Sequence, residues 1–99
     1  MPKIIQLASF ELNDENLMED WKKMSAGISA SLQNAPGFIS RDSAVGKDKK
    51  VHCVLKWENM EAQETVKKML ESPEMEEKMK EFGRIANMST MKEEFLEVL

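Results

Sequence analysis

Few side chains in this sequence could do chemistry, and three of them fall within six positions: His52, Cys53 and Trp57. His52 is the sole histidine, the one side chain that titrates near neutrality. As a general base it needs a substrate proton within hydrogen-bond reach, yet two-residue alternation puts it on the strand face opposite Trp57. An exposed or interface histidine is the other reading. Cys53, between Val51 and Leu55 on an apolar face, reads as an inert buried thiol, because no cation is evident beside it to favour the thiolate. With one cysteine there is no internal disulfide and no thiolate metal cluster, and with one histidine metals are disfavoured further. No cofactor is expected, and a reducing, cytoplasmic setting follows.

Trp57 is a core anchor or a stacking surface for a ligand; Trp21 is core packing or a pocket wall. Nine methionines are many for 99 residues. Met24, Met69, Met75 and Met79 fall on inward helix faces, where flexible thioethers fill a core or line an adaptable apolar cavity. The pairs Glu64/Lys68, Glu74/Lys78 and Glu76/Lys80 put the acid four residues ahead of the base, the signature of solvated helix faces. No phosphate loop, nucleophile elbow, paired-histidine motif or dinucleotide loop is present.

The elements that must position these residues are well punctuated. Residues 3–12 alternate as a strand. Asn13 with Asp14 and Glu15 starts a helix whose apolar stripe is Leu17, Trp21, Met24, Ile28 and Leu32. Asn34-Ala35-Pro36-Gly37 ends it. Strands follow at about 38–45 and 50–58 across the polar turn 46–49, and Asn59 opens a helix over 60–71. Ser72-Pro73-Glu74 restarts helix, with Met75, Met79 and Phe82 as its stripe, and a last strand spans about 88–98. This βαββαβ order predicts one α+β domain over residues 1–99: a ferredoxin-like four-stranded antiparallel sheet with helices on one face.

A two- or four-residue turn pairs Phe38, Ser40, Asp42 and Ala44 with the face of Val51, Cys53, Leu55 and Trp57. It leaves Ile39, Arg41, Ser43 and Val45 with His52, Val54 and Lys56, unless a one-residue bulge intervenes. The face holding Cys53 and Trp57 suits a helix-covered core, so Trp21, Met24, Cys53, Trp57, Met69 and Met79 are expected to converge on a ligand pocket. The same parity also allows that face to meet a partner. Strands with apolar residues on both faces imply a second layer, which a second copy supplies most simply; a homodimer is expected. The net charge of −4 with interleaved signs excludes a nucleic-acid footprint and disfavours an anionic membrane. Met1-Pro2-Lys3 leads straight into a strand pattern, and neither a membrane span nor a signal peptide is evident.

Ala35-Pro36-Gly37-Phe38-Ile39-Ser40, the run Leu55-Lys56-Trp57-Glu58-Asn59-Met60-Glu61-Ala62, Leu70-Glu71-Ser72-Pro73-Glu74 and Glu94-Phe95-Leu96-Glu97-Val98 resemble the antibiotic-biosynthesis-monooxygenase family of dimeric α/β barrels. The resemblance spans essentially the whole chain. It implies a small homodimer with a pocket in each subunit and a monooxygenase free of metal and flavin, acting on a small aromatic or quinol-like molecule. The contrasting reading is a non-catalytic homodimer that binds a small molecule in a stress or regulatory role. Haem degradation is not expected: the Asn, Trp and His of the haem-degrading relatives fall near Ala8 or Ser9, Val66 and Met79. The polyketide oxidases use a Trp, Asn and Tyr set, and this chain has no tyrosine. No catalytic residue is assigned.

Overall fold

The computed structural model describes residues 2–99; Met1, where the leader reading begins, lies outside them. The elements are β1 (Ile4–Leu12), α1 (Met18–Leu32), β2 (Phe38–Val45), β3 (Val51–Trp57), α2 (Met60–Leu70), α3 (Glu76–Ile85) and β4 (Ala86–Glu97). Short 3-10 turns at Glu15–Leu17 and Pro73–Met75 lead into α1 and α3. The sheet order is β2-β3-β1-β4 with every neighbouring pair antiparallel, the ferredoxin-like arrangement. Among the described residues no helix is long and apolar enough to cross a membrane.

Capping explains where the helices begin. Asn59 Oδ1 accepts the Ala62 N–H at 2.9 Å and starts α2. At the first helical turn the cap is Asp14, whose Oδ1 accepts the Asn16 N–H at 2.8 Å, and not Asn13. Asn13 instead donates its side-chain N–H groups to the carbonyls of Gly83, Arg84 and Ala86, and its backbone N–H to Ile85. It thereby satisfies carbonyls that the end of α3 leaves open, tying the β1–α1 corner to the α3–β4 corner. Gly83 lies inside α3, which runs on to Ile85.

The helices cover the face of Val51, Cys53, Leu55 and Trp57. One core cluster joins Phe10, Val51, Cys53 and Ala86 of the sheet to Trp21 and Ile85 of the helices. Phe10, Trp21 and Phe82 meet edge to face there, with centroids 5.0–5.9 Å apart. A second cluster holds Ile4, Leu32 and Trp57 under Val66 and Ala62 of α2.

The face assignment of β2 requires a correction. Arg41 pairs with Leu55, Ser43 with Cys53 and Val45 with Val51, so Arg41, Ser43 and Val45 lie on the helix-covered face. Asp42 pairs with Val54 and Ala44 with His52, on the open face. The cause is the hairpin. Lys49 N–H closes a turn on Gly46 C=O at 2.9 Å, Gly46 N–H returns to Lys50 C=O at 3.1 Å, and Lys49 takes a left-handed φ of 64°. That is a three-residue loop ending in a left-handed residue, one residue out of step with a two- or four-residue turn. A register shift between Phe38 and Ser40 restores the pairing of Phe38 with Trp57, as the expected parity required.

Candidate functional site: a cleft between α1 and β2

The corrected register places a cation, Arg41, on the helix-covered face, where the sequence reading put Asp42. A cleft of about 450 Å³ opens between α1 and the β2 edge. Helix α1 supplies Trp21, Ser25 and Ser29 at four-residue intervals, which stacks them on one face. Strand β2 supplies Arg41 and Ser43, two residues apart and so on the same face. Val51 of β3 closes the apolar end.

Arg41 crosses the cleft. Its Nη1 donates to Ser25 Oγ at 2.7 Å, Ser29 Oγ at 2.9 Å and the Ser25 carbonyl at 3.1 Å. Nη2 points at Cys53 Sγ, 3.8 Å away. The guanidinium carbon stands 6.0 Å from the centroid of the Trp21 ring, within reach of its negative face. Trp21 Nε1–H donates to Ser43 Oγ at 3.2 Å, and the Cys53 thiol approaches the same oxygen at 3.6 Å. Among the described residues no carboxylate lies within ion-pair distance of Arg41.

The six side chains expected in one pocket divide. Trp21 walls this cleft, whereas Cys53 does not line it and is buried behind Arg41 and Ser43, in contact with both. Met24 packs partly buried against the first core cluster. Trp57 is buried in the second cluster with its Nε1–H given to Gln6 Oε1 at 3.0 Å, and Phe38 stacks edge-on against it. Met69 and Met79 keep 62% and 40% of their surface exposed, and neither lines the cleft. Each sits on a helix flank that the sheet does not reach.

Sequence reasoning missed Arg41, Ser43, Ser25 and Ser29. The signal for the two strand residues was present but sat on the wrong face for want of the turn type. The two serines share the α1 stripe with Trp21 at four-residue spacing, which hydrophobic periodicity passes over. A second depression, of about 460 Å³, lies on the open sheet face around Leu7, Ser9, His52, Val54 and Lys92. His52 is exposed there, on the far side of the sheet from the cleft. Among the described residues no three His, Cys, Asp or Glu side chains converge as a metal site would require.

No family model and no curated protein matches the sequence. Solved structures do. SnoaB, a cofactor-independent oxygenase from Streptomyces nogalater, superposes with a TM-score of 0.76 at 12% identity, over 100% of this chain and 95% of that one. Rv0793 from Mycobacterium tuberculosis gives 0.74 at 12% identity, covering 98% and 95%. A conserved protein from Methanosarcina mazei Go1 gives 0.76 at 8% identity, covering 97% and 92%. At such identities the likeness establishes the fold, end to end.

Proposed function

We propose that this chain binds a small aromatic or quinol-like molecule in the α1–β2 cleft and oxygenates it without a metal or flavin. The observation that carries the reading is the cleft itself: an indole wall at Trp21, an apolar end at Val51, and hydroxyls at Ser25, Ser29 and Ser43 to fix orientation. The fold shared with SnoaB supports it. The chemistry suits sparse machinery. A carbanion or phenolate of the substrate reduces O2 itself; an activated methylene becomes a carbonyl, one oxygen atom enters the product and the other leaves as water. All four electrons come from the substrate, so the protein need only bind it, exclude water and hold the ionised form.

A homodimer belongs to the same reading. Ile5, Leu7, Val54 and Leu96 lie on the sheet face that no helix covers, and a second sheet packed there would bury them.

One observation favours the contrasting reading, a non-catalytic binder. The cleft contains no histidine, and its ionisable groups are Lys22, Arg41 and the edge-strand Asp42. A substrate that is not already acidic would find little to deprotonate it. Oxygen consumption with a panel of dihydroxy-aromatics separates the two. Uptake that depends on protein, with Trp21→Ala reducing it by about tenfold or more, supports the oxygenase. Absence of uptake across the panel, accompanied by a raised Tm on ligand addition, selects the binder.

A further inference from the structure

We infer that the α1–β2 cleft is an oxyanion site, its ligand an aromatic carrying a carboxylate or an ionised phenol, held by Arg41 and Ser43. The inference names the ligand class for the cleft proposed above and rests on that placement. Its basis is the hydrogen-bond inventory. Arg41 is half-buried and pairs only with neutral groups; its Nε–H has no acceptor among the described residues, and Nη2 has only the weak acceptor Cys53 Sγ. Ser43 Oγ receives the Trp21 indole N–H and the Cys53 thiol, which occupies its lone pairs and leaves its own proton to give. Ser25 and Ser29 each accept from Arg41. Ser31 on the same helix gives its proton to the Gly27 carbonyl at 3.0 Å, but neither of these two serines makes such a back-bond.

The cleft therefore holds a guanidinium with no carboxylate within ion-pair distance among the described residues, Asp42 at its edge belonging to the open face of the sheet, and every serine hydroxyl that faces it has donor capacity left over. Such a set is unmatched by a neutral donor ligand and matched by an oxyanion, whose lone pairs accept from guanidinium and hydroxyl together. Arg41 and Ser43, two residues apart on one strand face, are spaced about 7 Å at Cα and can flank one carboxylate. Met18 and Val45, which line the cleft with part of their surface open, give an attached arene an apolar surface to lie on, with the buried Trp21 ring behind the guanidinium. Lys22, also at the cleft, is mostly exposed and already paired with Glu19 at 3.2 Å, so it is the lesser cation.

Calorimetric titration at low ionic strength with benzoate and with its neutral counterpart benzamide tests this, with Trp21 emission, isolated in a Trp57→Phe variant, reporting location. Benzoate is expected to bind about tenfold or more tighter than benzamide, consistent with a charge-assisted hydrogen bond. Added salt should weaken benzoate and leave benzamide unchanged. Arg41→Gln should abolish the preference, Arg41→Lys should retain part of it, and Lys22→Gln should leave most of it. Sulfate at the same concentration separates the sources of charge: sulfate that fails to compete points to an aromatic acid, and sulfate that competes fully points to an inorganic oxyanion and overturns the aromatic assignment. Equal binding of benzoate and benzamide, or a preference lost in Lys22→Gln and kept in Arg41→Gln, overturns the site. If Arg41→Gln fails to fold, Arg41→Lys and Lys22→Gln still decide: a preference unchanged in the first and lost in the second overturns the site. Anion preference without oxygen uptake leaves this inference standing while the oxygenase reading falls; uptake with neutral substrates that Arg41→Lys leaves unchanged does the reverse.

Discussion

At the scale of single residues, the tightest constraint is Gly37. Its φ of +82° is a conformation that side-chain-bearing residues rarely adopt, and a Cβ there would stand 2.5 Å from Ala62 Cβ. Gly37 carbonyl accepts the Glu58 N–H at 2.8 Å, so the approach also holds the start of β2 against the end of β3. Gly37→Ala is expected to destabilise by more than about 2 kcal/mol, because strain and overlap add and α2 must move to relieve them. Urea denaturation measures it. A milder effect comes from the Arg84 cluster, where the guanidinium bonds both Glu81 and Asp20 and links α3 to α1. The Arg84 hydrogen bond holds the Glu81 carboxyl below its ordinary 4.5, with the Arg84 charge acting the same way and desolvation opposing. A depressed acid contributes fully above pH about 4.5 and loses that contribution as pH falls through its folded value. Thermal melts should thus show an acid-side decline in Tm that Glu81→Gln makes shallower, by little, since the group is exposed. Trp57 as a core anchor was readable from its place at a strand end. The role of Arg41 was not, since that depends on the register of a neighbouring strand.

Elements were legible wherever two signals agreed. Ser72-Pro73 marks the restart of helix before α3, and Asn59 marks α2, because a missing N–H and a capping oxygen each fit one position only. The hairpin between β2 and β3 was not legible in the same way. Its left-handed residue is Lys49, a type that announces nothing, while the nearby glycine, Gly46, stands at the start of the turn. A polar run with a glycine reads as a turn of unstated length, and one residue of length flips every side chain of the strand. Lys49→Gly should stabilise the hairpin by about 0.5–1 kcal/mol, as the left-handed cost is removed and part of the gain is returned in unfolded-state entropy. A fall in stability would mean that the loop closes differently. The same substitution leaves Arg41 on the helix side, so benzoate affinity should be unaffected.

At the scale of the whole molecule, the unanswered surface is the open sheet face. Three helices on one side bury Phe10, Val51, Cys53 and Trp57, but the strands carry apolar residues on the other side as well. Val54 and Leu96 keep 41% and 39% of their surface in the single chain, next to Leu7 and Ile5 in the ladder. His52, Lys56, Asp42, Lys92 and Glu94, the last directly opposite Leu7, surround this patch, an apolar centre with a polar rim. A chain of 99 residues gains much from burying such a patch, since a small domain covers a modest share of its own apolar surface. Sedimentation at micromolar concentration should therefore give about twice the 11.4 kDa chain mass. Leu7→Asp tests the face directly. Leu7 points away from the helices, so the fold should survive with its far-UV spectrum intact, while a carboxylate at the centre of a dry sheet-to-sheet contact should drive the particle to a monomer. Benzoate binding in the α1–β2 cleft should persist in that monomer, because every residue assigned to the cleft comes from one chain. A wild-type monomer at tens of micromolar would remove the dimer, and a Leu7→Asp protein that stays dimeric would move the contact to another surface.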